Sequence, residues 1–293
     1  MTPPLRILQF GRTGQLARAM LARAPYADVR LTALGRGQAD LSVPGEAARA
    51  VERARADLVL IAAAHTAVDR AETEPRLARR VNAAAPGEIA AACAARGLPL
   101  VHISTDYVYS GAGDQPFKET DPIAPLGVYG MTKAEGEAAA LAANPKTAIL
   151  RTSWVFSPWG GNFVKTMLRL ARDRDTVRVV ADQTGRPTSA ADLAGAILAM
   201  APRLVFGEGP YGVFHFANAG AVSWAGFAEG IFTAARARGL PAATVTPIAT
   251  KDFPTPAKRP AWSVLDTSKI ESAYGIAPRP WTAALDEAIG ALS

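Results

Sequence analysis

Cysteine is nearly absent: the chain has one, Cys93, so it cannot close an internal disulfide, and nothing supports an oxidising compartment. No segment approaches the roughly 18 unbroken apolar residues of a membrane span. The start, Met1-Thr2-Pro3-Pro4-Leu5-Arg6, leads straight into a short apolar strand rather than a signal-peptide core. Internal repeats and low-complexity linkers are missing. The three histidines, His65, His102 and His215, form no metal-spaced set with carboxylates. These absences point to a soluble, cytoplasmic globular protein without a metal centre.

What is present fits that class. The 293 residues are 49% hydrophobic and 20% charged, which excludes wholesale disorder and collagen-like or coiled-coil chains. Thirty-two basic against 26 acidic residues give a net charge of +6, suited to nucleic acid or to a small phosphorylated ligand. Many of the basic residues, among them Arg23, Arg49, Arg53, Arg55, Arg79 and Arg80, fall on predicted helix faces in alanine-rich runs. They read as a solvated coat, so no nucleic acid is expected.

The first half alternates short apolar runs with helical stretches. Strands are expected over residues 5–10, 29–34, 58–63, 98–103 and 148–150, and helices over 15–24, 44–55, 77–96 and 128–143. That rhythm predicts an α/β fold, a doubly wound parallel sheet of the Rossmann type. After Arg151 it loosens. Helical patches at 163–172, 190–200, 224–237 and 282–292 are separated by extended runs at 177–181, 212–216 and 244–248. The expectation is a dinucleotide-binding domain over 1–150 and a smaller substrate lobe over 151–293, with the chain free to cross between them.

Three local patterns carry chemistry. Gly11-Arg12-Thr13-Gly14-Gln15-Leu16-Ala17 follows the first strand, where a glycine-rich turn lets a pyrophosphate approach free N–H groups at the next helix start. After the second strand, Leu34-Gly35-Arg36-Gly37 has a basic residue where NAD enzymes usually carry an acid, which leans towards NADPH, with NADH as the alternative. Asp40 and Leu41 stand at a distance suited to the adenine side. Tyr129-Gly130-Met131-Thr132-Lys133 puts a phenol and an ammonium on one helical face, an arrangement expected to lower the tyrosine pKa. Ser104-Thr105-Asp106-Tyr107-Val108-Tyr109 ends a predicted strand and supplies a hydroxyl, completing a carbonyl-reducing set.

With these residues in place, the chain resembles the dTDP-4-dehydrorhamnose reductases, extended short-chain dehydrogenase/reductases. Further matches are Ala62-Ala63-Ala64-His65-Thr66-Ala67-Val68-Asp69, Arg151-Thr152-Ser153-Trp154-Val155-Phe156, Asn162-Phe163-Val164-Lys165-Thr166-Met167, Asp182-Gln183-Thr184-Gly185-Arg186-Pro187-Thr188 and Pro254-Thr255-Pro256-Ala257-Lys258-Arg259-Pro260.

The resemblance implies that Tyr129 protonates the sugar oxygen, that Lys133 tunes it and holds the nicotinamide ribose, and that Thr105 adds a second hydrogen bond. It places Gly11, Thr13, Gly14, Gln15 and Leu16 at the pyrophosphate and Ala63, Ala64 and His65 along the cofactor. Thr66, Val68, Asp106 and Trp154 fall on the substrate side, and Lys258 and Arg259 at the substrate diphosphate. Lys258 stands where the family usually has Arg, Ala17 replaces the third glycine, and Trp262 stands where Asn is common. Some members dimerise through Mg²⁺ held by glutamates; the matching positions are Ala19 and Ala191, so no metal is expected. The implied reaction is NADPH-dependent reduction of the 4-keto group of dTDP-4-dehydro-L-rhamnose to dTDP-L-rhamnose, by a monomer or homodimer. Alternatives are a sugar-nucleotide epimerase or dehydratase on the same scaffold, and a non-catalytic regulatory subunit. The plainer readings make His102 and His215 packed core histidines, Cys93 a small buried hydrophobe, Ser223 a helix cap, and Trp159 and Trp224 packing residues.

Overall fold

The computed structural model describes residues 3–292; Met1 and Thr2, on which part of the reading of the chain start rests, and Ser293 lie outside them. Six strands form the central sheet: β1 (Leu5–Phe10), β2 (Val29–Leu34), β3 (Leu58–Ile61), β4 (Leu100–Thr105), β5 (Thr147–Thr152) and β6 (Gly212–His215). All pairings are parallel and the order is β2-β1-β3-β4-β5-β6. Parallel neighbours need crossover connections, and the helices of those crossovers cover both faces. The alternation of side chains along each strand divides the core accordingly. Ile7, Leu58 and Leu60 pack on one face with α1 (Gln15–Arg23), while Leu8, Phe10, Val59 and Ile61 pack on the other with α2 (Glu46–Arg53) and α3 (Ala85–Ala95).

Two elements of the second half belong to this sheet. The extended run expected at 212–216 is β6, pairing Gly212–His215 with Ala148–Arg151, and α5 (Ala190–Val205) lies against α1 on the sheet face. A four-residue edge strand carries too little pattern to reveal which sheet it joins. The remainder builds a separate apolar core around Phe156, Val164, Phe227, Phe232 and Trp281. Within it Ser223 caps the helix Trp224–Arg236 by accepting from Gly226 N.

The helix expected over 77–96 is present over 75–95 but is not uniform. It runs as Pro75–Arg79, a π-helical turn over Arg80–Ala84, and α3. Pro86 has no N–H to give to the Asn82 carbonyl four residues back, which loosens the ladder at that point. The freed carbonyl is approached instead by Gly136 of α4 (Val128–Ala143); a Cβ there would overlap Asn82 O, as one at Gly130 would overlap Tyr107 O. A buried ion pair fixes the same helix to the sheet. Arg151 Nη2 meets Glu137 Oε2 at 2.6 Å, and Arg151 Nη1 donates to Tyr109 Oη, which contacts His215 Nε2 at 2.7 Å. His215 is fully buried, and burial pushes its pKa down to about 3.

Gly136→Ala forces α4 away from the π turn. The expected loss in denaturant melts is about 1–3 kcal/mol, as for overpacked cores. An unchanged midpoint would show that the helix can shift freely.

Candidate active site

The carboxyl ends of β1, β3, β4 and β5 open into a cleft of about 1080 Å³ between the sheet and the second lobe. Strand order reverses between β1 and β3, the place where open α/β sheets leave a crevice for ligands. Gly11 sits at that reversal with φ +108°, and a Cβ there would lie 3.2 Å from Ala62 C and Ala63 N. Only glycine combines that backbone angle with that proximity. Gly14 follows as the N-cap of α1 with no side-chain cap, no acidic residue in the first turn and open space beside its Cα. The free N–H groups and positive end of α1 therefore face the cleft, a fit for an anionic diphosphate.

Gly11, Thr13, Gly14, Gln15, Leu16, Arg36, Asp40, Leu41, Ala63, Ala64, His65, Thr66, Val68, Thr105, Asp106, Tyr129, Lys133 and Trp154 all line this cleft. Some have side chains occupied elsewhere. Gln15 bridges to the second lobe: its Nε2 donates to Val155 O, and its Oε1 accepts from Ser157 Oγ and Asn162 Nδ2. Leu16 and Leu41 are core residues that only edge the wall. Asp40 accepts from Ser42 N and Oγ at 2.8 Å, and these bonds, helped by the charge of Arg36, hold its carboxyl below the usual range.

Two expected residues are not brought in. Lys258 is exposed and outside the cleft wall. Arg259 is paired with Asp69 at 2.8 Å, and Asp69 also accepts from Ala257 N, which fastens this proline-rich segment beside the helix Val68–Thr73. Trp262 donates from Nε1 to Gln115 O. Ala19 is fully buried in the core with α5, and among the described residues no cluster of three or more His, Cys, Asp or Glu could hold a metal ion.

At the centre, burial pushes the Tyr129 phenol up to about 12; a hydrogen bond with Thr105 works the other way, and Asp106 adds to the rise. Lys133 does not reach the phenol. Its Nζ donates to Ile103 O at 2.7 Å and stands 3.3 Å from His102 Nε2. The expected lowering of the tyrosine pKa is therefore reversed, because desolvation outweighs an ammonium directed elsewhere. Burial brings Lys133 down to about 8, with Glu137 opposing. Asp106 is fully buried; Thr105 Oγ1 donates to its Oδ1 at 3.0 Å, and burial raises its pKa to about 7. Around these, Ser104 Oγ, Asp106 Oδ2, Thr152 Oγ1 and His65 Nδ1 are buried without hydrogen-bond partners. Unpaired polar atoms at a cleft wall suit a hydroxylated ligand.

Trp154 has φ +47°, strained for a bulky residue, and stacks on Trp224 with ring centroids 3.5 Å apart. Trp224, read from the sequence as packing, also lines the cleft. Asn82 was not foreseen. It accepts from His65 N at 2.8 Å and donates to His65 O and to Thr132 Oγ1, joining the β3 loop to the helix of Tyr129 and Lys133. Nothing in the local sequence sets it apart, since its role depends on the π turn. Tyr107, whose ring packs edge-on to Tyr129 at 5.6 Å, follows directly from the Thr105-Asp106 motif.

A Rossmann-like sheet with a glycine turn at its switch point and a partly buried tyrosine beside a buried threonine and lysine at its carboxyl edge defines the nucleotide-dependent oxidoreductase class. The chain matches the RmlD substrate binding domain family over residues 5–293. The dTDP-4-dehydrorhamnose reductase of Streptomyces griseus is 42% identical over 292 residues, spanning 99% of this chain and 95% of that one. Among solved structures, that of a dTDP-4-dehydrorhamnose reductase from Clostridium acetobutylicum superposes with a TM-score of 0.91 at 38% identity, covering 98% of this chain and 99% of that one. The Bacillus anthracis enzyme, solved in complex with NADP, gives 0.89 at 32% identity over 98% and 99%. The chain belongs to the dTDP-4-dehydrorhamnose reductase family, a family of NAD(P)H-dependent oxidoreductases.

Asp106 generates a stability test. Burial holds its folded pKa above the ordinary carboxylate value of 3.8, so its stabilising contribution is complete below pH 3.8 and lost as pH rises through about 7. Asp106→Asn is expected to raise the melting temperature relative to wild type at pH 8 and to leave it nearly unchanged at pH 4. Equal shifts at both values would remove the titration from Asp106.

Proposed function

We propose that this protein reduces the 4-keto group of dTDP-4-dehydro-L-rhamnose to dTDP-L-rhamnose with NADPH. The observation that carries the reading is the grouping of Tyr129, Thr105 and Lys133 with the Gly11–Gly14 turn along one cleft: a neutral phenol there is a proton donor, as reduction of a carbonyl requires. Gly11, Gly14 and the start of α1 would hold the cofactor pyrophosphate, with Asp40 and Leu41 on the adenine side and Ala63, Ala64 and His65 along its length. Bound there, a reduced nicotinamide would supply the hydride for the keto carbon. Arg36 and Arg12 line the same end of the cleft and offer charge to a 2′-phosphate.

The chain's own residues do the rest. Tyr129 Oη gives its proton to the sugar oxygen, and the Thr105 hydroxyl bonds the same oxygen as negative charge develops. Lys133, still largely charged at neutral pH, adds positive potential to the cleft wall from its place on Ile103 O and His102 Nε2, and the family resemblance assigns it the nicotinamide ribose. Asp106, Thr66, Val68 and the Trp154–Trp224 stack form the sugar side. Lys258 is exposed beyond the cleft wall and the Arg259 guanidinium is held by Asp69, so the diphosphate contacts that the family resemblance implies would need Arg259 released from that pair.

Tyr129→Phe removes the donor and keeps the ring. Turnover of the keto sugar, followed through NADPH absorbance, is expected to fall about 10²–10⁴-fold while calorimetric NADPH affinity holds. Full turnover in the variant would reject the mechanism, and no NADPH consumption by wild type would favour an epimerase, a dehydratase or a non-catalytic role. Arg36→Asp should move the ratio of kcat/KM for NADPH over NADH towards NADH by tenfold or more, on the order of one lost charged contact. A ratio that stays put would relieve Arg36 of cofactor selection.

A further inference from the structure

Lys133 is held by two acceptors, and one of them is a side chain with no evident reason to be polar. His102 stands on β4 between Val101 and Ile103, with Ile61 and Ile149 opposite it on the neighbouring strands. It is 1% exposed, so it is packed in the core as its strand suggests, yet its Nδ1 is buried with no partner. An apolar residue would fill this place without that cost. The contact that distinguishes histidine here is Nε2 against Lys133 Nζ at 3.3 Å.

An ammonium has donors only, so the imidazole nitrogen facing it must present a lone pair. That fixes a neutral ring with its proton on Nδ1. Burial, and then the charge of Lys133, hold the ring's pKa well below its ordinary value, so the neutral form persists.

We infer that His102 is a positioning residue for the reaction: its Nε2, with Ile103 O, fixes the Lys133 ammonium at the cleft wall beside Tyr129. The inference rests on the catalytic role proposed above for Lys133. The other charged or titratable groups around the lysine are Glu137 one turn along α4, itself paired with Arg151 of β5, Tyr129 one turn before, and Asp106 beyond the end of β4. With His102 removed, the buried ammonium keeps the Ile103 carbonyl and the field of Glu137, and loses one of its acceptors.

The test uses the full chain with His102→Leu and His102→Gln, the glutamine restoring an acceptor oxygen. In His102→Leu the high-pH limb of kcat is expected to move down by about one pH unit, the scale of one lost bond to a charged group. kcat at pH 8 should fall about fivefold with the KM for the keto sugar changed less than twofold, and His102→Gln should restore most of the loss in kcat and of the shift in the limb. A merely structural histidine would lower the melting temperature in the variants and leave the pH limb in place, which overturns the inference. Nitrogen-15 NMR of the wild type gives an answer that needs neither variant folding nor activity. A ring protonated at Nδ1 and bare at Nε2 from pH 6 to 9 supports the contact, and a proton on Nε2 overturns it. Wild type inactive with NADPH and keto sugar would reject the proposed function while this ring measurement still stands.

Discussion

The approach of one helix to two backbone carbonyls sets the geometry of the site. Gly130 and Gly136 let α4 lie against Tyr107 O and Asn82 O, and the buried Arg151–Glu137 pair fastens the same helix to β5. Because the contacts are with backbone, no side-chain rearrangement can relieve them. Tyr129 and Lys133 are thereby registered against the end of β4, where Thr105 and Asp106 stand. Asn82 extends the constraint to the β3 loop, tying the helix of Tyr129 and Lys133 to the cleft wall at His65.

The chemistry of the site follows from the burial of Asp106 and Lys133 in its wall. Water around Tyr129 and Asp106 would leave both near their ordinary pKa values. Burial instead raises the phenol and the carboxyl together and lowers the lysine, so at neutral pH the site holds a proton donor beside a cation. An arrangement that opposes its own ionisation costs folding stability, which the dense alanine and leucine packing on both sheet faces offsets.

Much of this was legible in the sequence where the signal is local. The glycine turn after β1, the strand limits at Leu5–Phe10 and Val29–Leu34, and the Tyr129–Lys133 helix could each be read from a dozen residues. What could not be read depends on distant partners. The π turn needs Pro86 and Gly136 together, 50 positions apart. The direction of the Lys133 ammonium is decided by β4, and Arg259 is taken up by Asp69 from the other half of the chain. The placement of β6 in the main sheet was hidden for the same reason: strand pairing is a property of two segments, and Gly212–His215 alone does not name its neighbour.

The stacked indoles have a consequence outside catalysis. Of the chain's five tryptophans, Trp154 and Trp224 line the cleft, face to face, while the other three do not. A ligand filling that part of the cleft would change the surroundings of these two emitters and leave the other three, which lie off its wall, as an internal reference. The protein thus carries its own fluorescent gauge of occupancy, built from the same strained tryptophan backbone that shapes the wall.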